Sequence, residues 1–301
     1  MIDFRTDLAD ERLSECIKSG EVEGISSENI NLDNTLKVTR VKVLNEKGKQ
    51  KIGKEIGTYI TLEIKNIDII SKDELEKISK ILAEQLKELV KGYDSILVIG
   101  LGNIDTTADS IGPKAIKDIE ITRHLKKYVP DLIDKNAKEI SGIAPGVLGT
   151  TGIETGEILK GIVEKIKPDA IIAIDALISR DISRLFKTIQ ISDTGITPGA
   201  GVGNARKEIS KNTMGIPVIA IGVPTLVEAA TIVADSIDLI SKQFEEFKEL
   251  QDASKEDKYR LIKAVLEPSK YNLAVTPKEV DSLVDNMKLI IAHGINNTFG
   301  N

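Results

Sequence analysis

Apolar and polar side chains alternate in two stretches near the N-terminus, residues 35–44 and 58–64. A period of two residues is typical of a strand with one face buried and the other exposed. The segment Asn45–Lys49 contains a glycine and predicts a turn, so the two stretches are expected to form an antiparallel hairpin. Residues 1–31 are mostly polar and predict only one short helix, around Glu11–Lys18.

An amphipathic helix is predicted between Ser71 and Lys91, where aliphatic residues recur every three or four positions. Ser71 is the expected N-cap, and Glu74, three residues later, completes a capping box. Gly92 is expected to end the helix. The apolar stripe consists of Leu75, Ile78, Leu82, Leu86 and Leu89.

From residue 95 onward, strand-like and helix-like segments alternate. The strand-like runs are Ser95–Ile99, Ala170–Ile174, Thr188–Ile191 and Pro217–Ile221. The helical segments are Pro113–Tyr128, Thr155–Ile166 and Leu226–Glu249. This alternation predicts an α/β fold with a mostly parallel sheet flanked by helices, to which the N-terminal hairpin and C-terminal helices are added. Those C-terminal helices are Ser254–Leu266 and Pro277–His293, with Thr276 capping the second.

Composition narrows the class of protein. Aromatic residues make up 3% of the chain and Trp is absent, so the core must be aliphatic. A net charge of −6 argues against a nucleic-acid-binding surface. One Cys and two His argue against an internal disulfide and a His-based metal cluster, and no run of about 18 apolar residues predicts a membrane span. We therefore expect a soluble, reduced, cytoplasmic protein that binds no metal, cofactor or membrane.

Two aspartates follow strand-like runs, where the carboxyl ends of parallel strands form the usual ligand crevice. Asp109 lies in the glycine-rich turn Gly100–Pro113, and Asp175 ends the run Ala170–Ile174. Asp109 could also be a helix N-cap, and Asp175 could accept loop N–H groups. Two carboxylates brought close together cannot both ionise, so one could take a proton from water while the other donates one. The pair therefore points to an acid–base hydrolase.

Other chemistries stay open beside this one. Gly100 and Gly102 resemble the start of a dinucleotide fingerprint, but Asp105 stands where the third glycine is needed. A hard cation could be bound if Asp105, Asp109, Asp175 and Asp193 converged at strand ends, which would give a metal-assisted hydrolase. The glycine-rich segments Ser141–Thr155 and Asp193–Asn204 could line a peptide groove, and they are expected to offer N–H groups to an oxyanion. A peptide-binding module without catalysis is the remaining alternative.

Several long motifs of the chain resemble the germination proteases, the spore endopeptidases of spore-forming Firmicutes. The matching segments are Gly100–Asn103, Asp109–Pro113, Ile143–Gly152, Ile174–Leu177, Ser192–Ile196, Pro198–Asn204 and Gly222–Thr225. The likeness extends from Arg5–Ala9 to Thr276–Val280.

The resemblance implies an atypical aspartic endopeptidase that cleaves small acid-soluble spore proteins during germination. It implies that Asp109 and Asp175 are the catalytic pair, and that the core is similar to hydrogenase-maturation proteases. It further implies a self-cleaving zymogen, a homotetramer and a location in the forespore and spore core. On this view residues 1–7 are a short propeptide and residues 8–301 one peptidase domain, composed of a hairpin and helix (35–92), a catalytic core (93–250) and C-terminal helices (251–301).

The resemblance also indicates where self-cleavage would occur. Substrates of the family are cut after an acidic residue and before an aliphatic residue followed by Ala. The segment Thr6-Asp7-Leu8-Ala9 is similar to such a site, so the cut is expected between Asp7 and Leu8. Asp7 could instead, or in addition, cap a helix that begins near Ala9.

Overall fold

The computed structural model describes residues 6–17, 22–33, 35–65, 67, 70–134, 136–199, 207–244, 255–266 and 273–300. Its strands are β1 (Ile25–Asn31), β2 (Leu36–Val43), β3 (Gly57–Ile64), β4 (Ser95–Gly100), β5 (Glu139–Ile143), β6 (Ala170–Ser179), β7 (Thr188–Ser192), β8 (Val218–Glu228) and β9 (Ala274–Val275). They form one sheet in the order β1-β2-β3-β7-β8-β6-β4-β5, with β9 pairing β8.

The helices lie around this sheet. They are α1 (Ala9–Ile17), α2 (Glu46–Ile52), α3 (Lys72–Leu89), α4 (Ile111–Ile116), α5 (Arg123–Tyr128), α6 (Leu148–Thr151), α7 (Thr155–Ile166), α8 (Lys211–Met214), α9 (Ala229–Gln243), α10 (Lys255–Leu266) and α11 (Val280–Phe299). No helix among the described residues is long and apolar enough to cross a membrane.

The predicted α/β architecture is confirmed. Strands β5, β4, β6 and β8 are parallel neighbours and form the centre of the fold. Strands β7, β3, β2 and β1 extend it with antiparallel pairs on one side. The sheet is therefore a parallel core carrying an antiparallel extension.

The aliphatic runs of the core strands are buried on both faces. In β4, Ile96 and Val98 pack into the cluster that contains α3 and α11 side chains, whereas Leu97 and Ile99 pack into the cluster that contains α7. Strands covered on both faces have no polar side, which explains why this part of the sequence shows continuous aliphatic runs rather than alternation.

The predicted hairpin is confirmed in its strands and wrong in its connection. Strands β2 and β3 pair antiparallel from Leu36 opposite Ile64 to Val43 opposite Gly57. The segment Asn45–Lys49 is not a turn but the start of α2, because the Asn45 side chain accepts the N–H of Gly48 as an N-cap. The strand β1 was not predicted, because most of its side chains are polar and exposed.

Three other predictions about helices need correction. The single helix predicted over Pro113–Tyr128 is two short helices, α4 and α5. Helix α9 begins at Ala229 rather than Leu226, because β8 continues to Glu228, and the end of that predicted range lies outside the described residues. Helix α11 begins at Val280 with Glu279 at the N-cap position, so Thr276 is not its cap.

Helix α3 is confirmed together with its cap. Ser71 Oγ accepts the N–H of Glu74 at 3.2 Å, and Glu74 Oε2 accepts the N–H of Ser71 at 2.9 Å. The residues of the stripe nearest its centre, Ile78, Leu82 and Leu86, are buried in the main core. The helix packs against α11, so one short motif and one apolar stripe anchor a whole layer of the fold.

Replacing Ser71 by Ala is expected to lower the free energy of unfolding by about 1 kcal/mol, because one helix N–H loses its acceptor. Urea denaturation measures this change. The control is Ser236→Ala in α9, which removes an exposed hydroxyl bonded to the carbonyl of Ile232 and should cost less than about 0.5 kcal/mol. Equal losses in the two variants would contradict a capping role for Ser71.

Candidate active site

Asp175 lies inside a strand, where the sequence predicted that the strand had ended. Strand β6 continues to Ser179, while its neighbour β4 stops at Gly100, opposite Ile174. Asp175 is therefore the first residue of β6 beyond the end of β4. Its side chain is buried, and its Oδ1 accepts the N–H of Ala176 at 2.9 Å. Because β4 ends here, there is space beside this carboxylate for a reacting group.

Asp109 reaches the same place from the turn that follows β4. It ends the 3-10 turn Thr107–Asp109, and its Oδ2 accepts the N–H of Asn103 at 2.8 Å. Ser110, not Asp109, occupies the N-cap position of α4. The turn needs a glycine at Gly102, because φ is +109° there and a Cβ would lie 2.0 Å from the Asp109 carbonyl oxygen.

Asp109 and Asp175 line one pocket of about 740 Å³. Of the four carboxylates that could have formed a cation site, Asp105 and Asp193 do not line it, and Asp193 Oδ1 accepts the N–H of Thr58 at 2.8 Å. Within the ranges that the structure describes, no group of three or more His, Cys, Asp and Glu residues is placed to hold a metal ion. The pocket therefore brings together the two aspartates that the sequence singled out.

A row of residues across the sheet forms part of the pocket wall. Gln190 in β7 lies opposite Gly222 in β8, and Gly222 lies opposite Asp175 in β6. Residues in one row point to the same face, and two strand spacings separate the outer pair by about 10 Å between Cα atoms. Gln190 and Asp175 therefore face the same pocket, and Gly222, which has no side chain, lies between them.

The N-terminal segment enters this pocket. Thr6 and Asp7 line it, and the next residue, Leu8, is fully buried. The backbone N–H of Asp7 donates to the carbonyl of Ile178 at 2.8 Å, and the N–H of Ile178 donates to Asp7 Oδ2 at 2.9 Å. Because β4 ends opposite Ile174, these groups of Ile178 are available to Asp7 rather than to a neighbouring strand.

The carbonyl oxygen of Asp7 accepts two side-chain hydrogen bonds. Lys54 Nζ donates at 2.7 Å and Gln190 Nε2 at 3.0 Å. The other end of the Gln190 amide accepts the N–H of Ala9 at 2.7 Å. Side chains therefore bind the backbone before and after Leu8, and Asp7 lines the pocket that contains Asp109 and Asp175.

A family profile described as "Germination protease" matches residues 4–256 and 250–301. The chain belongs to the germination protease family. The motifs that suggested the resemblance thus identified the family correctly.

Relatives in the family match along most of their length. A germination protease of Clostridium tetani is 49% identical, covering 97% of this chain and 94% of the relative. One from Caldanaerobacter subterraneus is 46% identical over 98% and 94%, and one from Bacillus subtilis is 40% identical over 87% and 82%. A solved [NiFe] hydrogenase maturation protease, HycI from Thermococcus kodakarensis, is 20% identical over 47% of this chain and 80% of its own, with a TM-score of 0.30.

Helix α1 fixes the end of the N-terminal segment to the sheet of this germination-protease chain. The Glu11 carboxylate accepts the N–H groups of Arg180 at 2.8 Å and Asp181 at 3.1 Å, just after β6. Asp10 pairs with Arg184, which also pairs with Glu63 at 2.7 Å. Burial raises the pKa of Glu11, and its hydrogen bonds to Thr6 and the β6 loop oppose that change. The position of Asp7 is therefore set by contacts on both sides of it.

Lys54 and Gln190 are pocket residues that the sequence did not reveal. Lys54 follows the left-handed Gly53 that ends α2, and burial lowers the pKa of its ammonium while the charge of Asp7 opposes that shift. Gln190 is buried in β7, whose other residues are aliphatic or carry a hydroxyl group. An amide in such a strand is the feature of the sequence that could have pointed to this residue. Lys54 lies three residues before β3, and Gln190 lies in β7, the strand that pairs with β3.

Proposed function

We propose that this protein is an endopeptidase that begins the degradation of small acid-soluble spore proteins during germination, by means of a water activated by Asp109 and Asp175. Membership of the germination protease family supports the protease activity and the germination setting. The observation that carries the mechanism is that Asp7, the acidic residue before the expected cut, lines the same pocket as both aspartates.

The proposed reaction is direct attack of water on the peptide carbonyl. One carboxylate accepts a proton from water, and a carbon–oxygen bond forms at the carbonyl carbon. The bond to the following nitrogen then breaks while the protonated partner carboxyl donates a proton to the leaving amine. The products are a carboxyl group on the acidic residue and an amine on the aliphatic one.

Self-cleavage is proposed between Asp7 and Leu8, so that residues 1–7 act as a propeptide and residues 8–301 as the peptidase. The segment supports this in two ways. Its sequence resembles the substrate site of the family, and its backbone is bound to β6 through Ile178. The homotetrameric assembly and the location in the forespore and spore core stay predictions that rest on the resemblance.

Incubation at mildly acidic pH tests the proposed cut. The intact chain is expected to yield a protein whose first residue is Leu8, detected by intact mass and N-terminal sequencing, and to gain activity on an isolated small acid-soluble spore protein. A parallel incubation after exhaustive chelation separates the metal-assisted alternative, which requires activity to disappear. Full activity on the spore protein with Met1 still in place would refute the propeptide, and absence of any cleavage would refute the proposed activity.

A further inference from the structure

Two donors converge on one peptide oxygen in the pocket. Lys54 Nζ and Gln190 Nε2 both bind the carbonyl oxygen of Asp7, at 2.7 and 3.0 Å. This oxygen belongs to the bond that the proposed function cuts. Its two observed partners are side chains, whereas the sequence led us to expect backbone N–H groups of the glycine-rich loops. We propose that Lys54 and Gln190 form the oxyanion-binding site of this peptidase, an inference that rests on the proposed function.

The chemistry of an oxyanion explains why these residue types are suited to this position. When water attacks, the carbonyl π electrons move onto the oxygen, which gains a full negative charge. An ammonium and an amide N–H already aimed at that oxygen stabilise the charge without any rearrangement. When the intermediate collapses, the electron pair returns to re-form the carbonyl and the nitrogen of Leu8 leaves with its new proton.

The fold holds the backbones that carry both donors without using the bound segment. Lys54 follows Gly53, whose N–H is bonded to the carbonyl of Lys49 at the end of α2. Gln190 is in β7 between β3 and β8, opposite Thr61 and Gly222. Donors carried on such paired elements lose little freedom on binding, which is the condition for effective electrostatic stabilisation.

The side-chain amide of Gln190 also makes a second hydrogen bond to the segment. Its oxygen accepts the N–H of Ala9 at 2.7 Å while its nitrogen donates to the carbonyl of Asp7. One side chain therefore binds the backbone on both sides of the Asp7–Leu8 bond. A peptide bound in this way places its carbonyl oxygen in one orientation, whatever the side chains that flank it.

The two proposed roles of Gln190 are separated by Gln190→Glu. This isosteric variant retains an acceptor for Ala9 N–H and loses the donor to the Asp7 carbonyl. The first-order rate of self-cleavage, followed by intact mass, is expected to fall by about 10²–10³-fold. A rate equal to wild type would show that Gln190 only holds the backbone and would overturn its part in the proposal.

For Lys54 the test is Lys54→Met, which keeps an unbranched side chain only one atom shorter and removes the donor. Self-cleavage is expected to slow by about 10²–10³-fold while the thermal midpoint changes little. The same substitution is also made in Asp7→Asn, and its effect is measured relative to Asp7→Asn alone, because that variant itself changes the acidic residue before the cut. A further fall of about 10²–10³-fold in this background supports oxyanion binding. Loss of the Lys54→Met effect in the Asp7→Asn background would overturn the proposal and assign Lys54 to recognition of the acidic side chain.

The control is Lys47→Met in α2. Lys47 is exposed and pairs with Glu23 outside the pocket, so this variant should cleave itself at the wild-type rate.

Failure of the inference is distinguishable from failure of the proposed function. Wild-type protein that cleaves neither itself nor a small acid-soluble spore protein refutes the function. Wild-type protein that cleaves, with Lys54→Met and Gln190→Glu cleaving equally fast, refutes only the oxyanion site.

Discussion

Replacing Asp109 or Asp175 by Asn is expected to lower peptide-bond cleavage by at least about 10²–10⁴-fold. Asn keeps the shape of the side chain but can neither accept a proton from water nor release one to the leaving amine. The fold should survive, because Asn oxygen atoms can still accept the N–H of Asn103 in one case and of Ala176 in the other. Cleavage of an isolated small acid-soluble spore protein measures the loss, and circular dichroism checks the fold.

Asp105→Asn is the matched control for this experiment. Asp105 lies in the same turn as Asp109 but is exposed and does not line the pocket. It should therefore cleave at the wild-type rate. Wild-type turnover in Asp109→Asn or Asp175→Asn would eliminate the aspartate pair, and a loss in Asp105→Asn equal to theirs would instead favour a carboxylate-bound cation.

Gly112→Ala is expected to damage both stability and activity. Gly112 lies in α4, where an added Cβ would be 2.4 Å from the carbonyl oxygen of Leu101 and 2.6 Å from that of Ile174, the residue before Asp175. Leu101 directly follows β4, and Ile174 is the residue of β6 that pairs with the last residue of β4. Both oxygens are backbone atoms, so α4 must move away. Overpacking of this kind costs about 1–3 kcal/mol, and a displacement of about 1 Å at the site costs about 10²-fold in rate.

Gly161→Ala provides the opposite case in the same fold. Gly161 is exposed in α7, and a Cβ there meets no atom within 4 Å. This variant should raise the free energy of unfolding by up to about 1 kcal/mol through helix propensity and leave cleavage unchanged. Urea denaturation and substrate cleavage are measured on both variants and compared with the wild type. Wild-type stability in Gly112→Ala would contradict the close packing of α4 on the sheet.

Local signals in the sequence predicted the parts of the fold that depend on local interactions. Helix α3 was predictable because its cap, Ser71 and Glu74, and its apolar stripe lie within one segment. Strand β1 was not, because its partner β2 rather than its own pattern determines its conformation. The end of β6 was misplaced because an aspartate after an aliphatic run looks like a strand end, whereas Asp175 is tolerated inside the strand where β4 has stopped.

The candidate site was predictable only in its acidic half. Asp109 and Asp175 stand out because each follows an aliphatic run at the edge of the parallel core. Lys54 and Gln190 are separated by 136 positions, and both bind the carbonyl oxygen of Asp7 in a fold where β3 pairs antiparallel with β7. Their meeting point depends on strand register, which single-sequence patterns specify poorly when β7 is buried throughout.

Only Leu8 separates Asp7 from helix α1, and this short tether affects how the segment competes with a substrate protein. A ligand tethered this closely occupies its site at an effective concentration of about millimolar, so a substrate protein present at about micromolar concentration is at roughly a thousandfold disadvantage. Cutting the chain after Asp7 would turn that ligand into a free peptide, which dilution alone removes. A synthetic peptide ending at Asp7 would then inhibit the processed protein only weakly, although it makes the same contacts with Ile178, Lys54 and Gln190 that hold it when it is tethered.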